Sequence, residues 1–137
     1  MNADNRRDAV VQRIRSFLAD ECYVKLDEIV EVAGRLMRED EIDYLDMSLW
    51  NTFKEPQDEA YKGKRLVDWF TDLPRGDCRL GAAGKLTTGK ACHDAMEAGL
   101  DFVVIGRGAI LHHDFPEKVL ADPDFTPIAL PVPEAHL

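Results

Sequence analysis

The sequence predicts an α/β fold built from parallel βα units, and three observations carry that prediction. Two apolar runs of strand length, Leu80 to Ala83 and Phe102 to Ile105, each end in a glycine, Gly84 and Gly106. Between them lies a stretch with helical spacing, its inner face made of Ala91, Cys92, Ala95 and Met96. Upstream, a charged-out, apolar-in helix pattern again precedes a short strand pattern, so helix and strand alternate along the chain. Such alternation builds right-handed crossovers and a parallel sheet.

Taken in order, residues 1–24 are a lead-in to a single α/β domain spanning residues 1–137. Within it Val10, Ile14, Phe17 and Leu18 fit one helical face, although VVQRIRSF also suits an edge strand. Leu26, Ile29, Val30, Ala33, Leu36 and Met37 recur at helical spacing, with Asp27, Glu28, Glu31 and Arg35 outside. That pattern predicts an amphipathic helix over Leu26–Met37. A charged turn, Arg38 to Glu41, leads to a short buried strand marked by Ile42, Tyr44 and Leu45, then a loop from Ser48 to Pro56.

A second amphipathic helix is expected over Glu59–Leu73, with Leu66, Trp69, Phe70 and Leu73 on one stripe. The turn Pro74–Asp77 closes it. Thr87 or Thr88 suits the N-cap of the next helix, and Gly99 its left-handed C-terminal residue. Asp101 opens the strand Phe102–Ile105, whose apolar, largely β-branched character suits a parallel strand buried on both faces. A short helix from Gly108, a proline-started turn over Pro116–Ala121 and a proline-rich tail over residues 126–137 complete the chain.

Composition narrows the function classes. A net charge of −9 and an isoelectric point near 4.8 argue against nucleic acid or anionic membrane as partners. Between Arg79 and Arg107, however, four Lys or Arg stand against three Asp or Glu, so this stretch is locally cationic. The cysteines (Cys22, Cys78, Cys92) lack CxxC spacing, which reads as reduced thiols in the cytoplasm. No apolar run approaches membrane-spanning length, and no signal peptide is evident.

The glycine corners give the candidate site. A glycine at the carboxyl end of a strand lets backbone N–H groups approach a ligand closely. A helix starting there adds its positive end, which favours phosphate. Each corner is followed by a cation, Lys85 after Gly84 and Arg107 after Gly106. Two such corners on neighbouring strands would form one phosphate pocket at a barrel rim. Trp50 and Phe53 fall in the loop after the first strand, where they would flank a ligand ring or pack against a partner.

Other candidates read as structural. His112, His113 and Asp114 invite a metal, but adjacent helical side chains point about 100° apart, so a solvated helix end is the better reading. Cys92 belongs to a small inner face, and Asp43 and Asp46 read as rim carboxylates. No catalytic residue and no metal ligand is nominated.

The stretch AAGKLTTGKACHDAMEAGLDFVVIGRGAILHHDFP resembles the last two βα units of the Old yellow enzyme family, FMN-dependent NADH:flavin oxidoreductases on a TIM barrel. GRLMREDEIDYLDMSLW is similar to that family's preceding helix and sixth strand, and the likeness covers roughly residues 25–125. LDFVVIGRG is its most discriminating part, with Leu100 where small residues are common. The resemblance implies that the backbone at Ala83, Gly84, Gly106 and Arg107 holds the FMN phosphate. Arg107 would add a charge-assisted contact, and Lys85 is a secondary candidate.

The departures are equally specific. A complete barrel takes about 250 residues, roughly twice this chain. The histidine pair or His/Asn and the tyrosine proton donor of the family have no match here. The resemblance therefore implies a C-terminal half TIM barrel that binds FMN. The intact family transfers hydride from NADH or NADPH, and this chain alone would not turn over. Two alternatives stand beside it: a non-catalytic half-barrel that self-associates as a homodimer or with a complementing half, and another phosphate-binding TIM barrel.

Overall fold

The computed structural model describes residues 25–39 and 42–128. The expected helix over Val10–Leu18, the remainder of the lead-in, Cys22, Asp40, Glu41 and the tail from residue 129 lie outside the described residues. Helix α1 (Leu26–Arg38) comes first, followed by strand β1 (Tyr44–Ser48) and a 3-10 turn at Glu59–Tyr61. Helix α2 (Leu66–Thr71), strand β2 (Arg79–Ala83), helix α3 (Gly89–Glu97) and strand β3 (Phe102–Val103) follow. Two short helices, α4 (Arg107–Leu111) and α5 (Phe115–Ala121), end the described chain.

The three strands form one parallel sheet in the order β1-β2-β3. Tyr44 is opposite Arg79, Asp46 opposite Gly81, Ser48 opposite Ala83, and Gly81 in turn opposite Phe102. This register sorts the side chains. Met47, Leu80 and Ala82 are buried on one face, where they share a core with Ala33 and Met37 of α1, Val67 and Phe70 of α2, and Ala95 of α3. Tyr44, Asp46, Ser48 and Arg79, of opposite parity, are exposed. These helices thus cover the same face of the sheet.

Several elements differ from the sequence expectation, each for a local reason. Tyr44 was expected inside but is 62% exposed, because it belongs to the face that none of the described α1, α2 and α3 covers. Its ring meets Phe102 edge-on at 5.8 Å, across Gly81. A Cβ on Gly81 would stand 2.0 Å from the Phe102 ring, so the missing side chain makes room for that pair. The expected Glu59–Leu73 helix is broken into a 3-10 turn and α2. Gly63, with φ +89°, sits in a conformation an α-helix does not admit.

The strand expected over Phe102–Ile105 pairs over only two residues and is half-buried rather than enclosed on both faces. It lies at the end of the strand order, where no further described strand covers it. On α1 the apolar stripe is wider than the sheet can cover. Ala33 and Met37 are buried, whereas Ile29 and Leu36 stay 38% and 41% exposed.

Met96, expected on the inner face of α3, is 41% exposed, whereas the expected cap of α3, its glycine end and the start of β3 are found. Lys25 N–H donates to Glu28 Oε2 at 3.1 Å at the start of α1. Thr88 Oγ1 accepts from Ala91 N–H at 3.1 Å and caps α3. Gly99 follows α3 with φ +105°. Asp101 starts β3 by donating its N–H to Leu80 O, while its carboxylate accepts from Leu80 N–H, both at 2.8 Å.

Candidate functional site

The first corner runs from Ala83 to Thr88. Gly84 has φ +150° and Lys85 φ +52°, so the chain turns sharply at the carboxyl end of β2. The left-handed conformation of Lys85 is uncommon for a residue with a Cβ. The loop after β1 braces this corner. Leu49 N–H donates to Ala83 O at 2.8 Å, and Thr52 N–H donates to Gly84 O at 3.1 Å. The Thr52 hydroxyl donates to the same carbonyl at 2.9 Å, and Thr52 is fully buried. A Cβ on Gly84 would stand 2.2 Å from Leu49 O, so the loop closes on the corner only because residue 84 is glycine.

The second corner is built differently. Val104 N–H reaches back to Ala82 O at 3.0 Å, after which the chain leaves the sheet and turns at Gly106. There φ is −92° and ψ −88°, and among the described residues nothing beyond its two chain neighbours lies within 4 Å of where a Cβ would stand. Glycine is therefore not demanded here by packing, in contrast to Gly84.

The two corners open into one cleft of about 400 Å³. Ala83, Gly84, Lys85, Leu86 and Thr87 line it from the first, Val104, Gly106 and Arg107 from the second, and Leu49 and Trp50 from the brace. All five residues nominated from the sequence (Ala83, Gly84, Lys85, Gly106, Arg107) border it. Among the described residues, the amides of Gly84, Lys85, Gly106 and Arg107 donate to no protein acceptor. Nor do Lys85 and Arg107 form an ion pair among the described residues. Unsatisfied N–H groups and unpaired cations around one hollow are the donor set that an anion requires.

The helices contribute less than the sequence suggested. Helix α3 starts at Gly89, five residues beyond Gly84, and its first turn is already capped by Thr88. Helix α4 does start directly after Gly106 but has only five residues. The site rests on loop amides and side chains rather than on helix ends.

Three residues around the site escaped the sequence reading, Leu49, Leu86 and, most of all, Thr52, and Thr87, expected as an alternative N-cap, lines the cleft instead. Nothing in SLWNTF marks Thr52, since its importance comes from a carbonyl 32 positions away. His112 also departs from expectation. It is not a solvated helix end: its Nε2 accepts from Ile128 N–H at 3.2 Å, and its ring meets Phe125 edge-on at 5.1 Å. Among the described residues no cluster of His, Cys, Asp or Glu could hold a metal ion.

Cys78 and Cys92 are free thiols, both pushed above the ordinary cysteine range chiefly by burial. Neither is activated as a nucleophile. No described helix is long and apolar enough to cross a membrane.

Other hollows lack this combination of groups. A groove of about 540 Å³ along β1 is walled almost wholly by apolar side chains of α1, β1 and α2. Another of about 550 Å³ adjoins Trp50, with Asn51, Lys54 and Tyr61 among its walls.

What fold and site define together is a parallel α/β domain with an amide-lined, cationic cleft at the carboxyl ends of two adjacent strands. No protein-family model, curated protein or solved structure matches the chain.

Proposed function

We propose that the chain binds FMN, holding its phosphate between the corners at Gly84 and Gly106. On this reading it is the C-terminal portion of an NADH:flavin oxidoreductase barrel, catalytically inactive by itself. The observation that carries the proposal is the single cleft into which both corners open, with four amides and two cations that have no partner among the described residues. Arg107 would grip phosphate oxygens with its planar fork, Lys85 would add a more mobile charge, and the corner amides would fix position. FMN when bound would supply hydride transfer between a nicotinamide and an acceptor. The described residues contribute binding and orientation rather than a proton donor.

The sheet supports the barrel part of this reading. Sequential parallel order, with α1, α2 and α3 sharing the core on one face, is the arrangement of a singly wound barrel wall. A doubly wound sheet reverses strand order and carries helices on both faces.

Reconstitution with FMN tests the proposal. Free FMN at about one hundred times the dissociation constant should stabilise the fold by about 2.7 kcal/mol, visible as a rise in Tm. A protein that stays colourless after gel filtration from millimolar FMN, with unchanged Tm, would refute it. Binding inorganic phosphate but not FMN would instead favour a different phosphate-binding barrel.

A second reading, self-association of an open barrel wall, has its own observation. Val32 is 59% exposed beside Ile29 and Leu36, along the groove next to the outer edge of β1. Unpaired strand edges and apolar flanks favour pairing with another chain. Light scattering showing a compact monomer that does not bind a hydrophobic dye would exclude it.

A further inference from the structure

Trp50 is 81% exposed, although the residues around it in the chain are held firmly. Leu49 on one side and Thr52 on the other are hydrogen-bonded to the Ala83 and Gly84 carbonyls, so the loop carrying the indole is stapled to the first corner at both ends. Among the described residues the ring meets no aromatic partner and no cation. Trp69 is the contrast: half-buried, edge-on to Tyr61 at 5.7 Å and under the Lys64 ammonium. Trp50 also forms the ridge between two hollows, bordering both the cleft of Gly84 and Arg107 and the groove that contains Lys54.

A large planar side chain carried on a stapled loop beside an anion cleft, and without an aromatic or cationic partner among the described residues, offers a stacking surface. We infer that Trp50 is a ligand-binding residue whose indole packs against a planar ring carried by the phosphate. The ligand class is thus a mononucleotide rather than a bare phosphate or a sugar phosphate. This rests on the phosphate reading of the cleft and adds to it the place and chemistry of the ligand's other end.

Calorimetric titration of the full chain with inorganic phosphate, FMN and AMP, repeated with W50A, W50L and R107A, tests it. For the unsubstituted chain FMN or AMP should bind at least ten-fold more tightly than phosphate. W50A and W50L should lower mononucleotide affinity by roughly ten-fold or more, the usual scale for losing an aromatic stack, while phosphate affinity stays essentially unchanged. R107A should weaken all three ligands. Because Trp50 is exposed, W50A should keep the Tm of the unsubstituted chain, and W50L serves as a second variant with a bulky apolar side chain. Mononucleotide affinity unaffected by either substitution would overturn the stacking role while leaving the phosphate site intact. A parallel fall in phosphate affinity would overturn it too, by making Trp50 part of the brace. An unsubstituted chain that binds none of the three would remove the phosphate reading and this inference together.

Discussion

The Thr52 hydroxyl and the Gly84 carbonyl, 32 positions apart in sequence, meet at 2.9 Å in the interior. The contact ties the loop after β1 to the corner after β2. With the Thr52 amide bound to the same oxygen at 3.1 Å, it turns that carbonyl toward the brace. The peptide's opposite side carries the Lys85 N–H, one of the amides without an acceptor among the described residues. T52V keeps the shape and removes the hydroxyl, so it should cost about 1 kcal/mol of stability and weaken phosphate or FMN binding several-fold. T52S should restore both. Chemical denaturation and calorimetry check the pair; full FMN affinity in T52V would show that the brace does not set the corner.

The two glycine corners should respond differently to alanine. G84A places a methyl against the Leu49 carbonyl and should destabilise the protein by more than about 2 kcal/mol. G76A, at φ +52° with nothing within 4 Å, should cost only about 1 kcal/mol for its backbone conformation. G106A meets open space at an ordinary negative φ and should leave Tm almost unchanged while lowering anion affinity. Thermal melts that rank G106A with G84A would contradict the packing contrast between the corners.

At the other end of the sheet Asp101 joins two strands and a turn. Its carboxylate accepts from Leu80 N–H at 2.8 Å and lies 3.2 Å from the Arg75 guanidinium, which also donates to Gly99 O. D101A strands the Leu80 amide beside a fully buried residue and should cost about 2 kcal/mol. D101N keeps an acceptor and loses the partly exposed ion pair, so less than about 1 kcal/mol is expected. Equal losses in urea titrations would place the effect in the charge rather than in the hydrogen bond.

The two described cysteines should be slow to alkylate. Burial raises both thiols, with the favourable Arg75 charge at Cys78 and the Cys92 backbone contact opposing it. A raised pKa means the thiol form is favoured in the fold, so stability from this source is complete below the ordinary thiol range. It declines as pH rises through the folded-state value. Peptide mapping after iodoacetamide treatment should find Cys92 modified at least about ten-fold more slowly than free cysteine at pH 7.5, accelerating as the pH is raised. Rapid modification of Cys92 at neutral pH would mean that its side of α3 opens to solvent.

Much of the fold was legible from local pattern. The Thr88 cap and Gly99 act through neighbours a few positions away, and the buried Leu80 and Ala82 lie in a local apolar run that already reads as a strand. The Gly84 and Gly106 corners were visible for the same reason, since a glycine closing an apolar run is a local signal. Tyr44 and Ile29 misled because hydrophobic spacing says which side chains share a face, not whether anything covers that face. The helix broken at Gly63 shows the converse, a backbone conformation overriding an apolar stripe.

The sequence by itself determined the alternation of helix and strand, the glycine corners with their cations, and the acidic balance that disfavours polyanion partners. These depend on residues close together along the chain or on simple charge. Only the tertiary structure decided that both corners open into one cleft, that Thr52 fastens the first of them, and that Trp50 stands exposed at its rim. Those relationships join residues tens of positions apart through strand register and loop closure, and single-residue preferences carry no record of such long-range contacts.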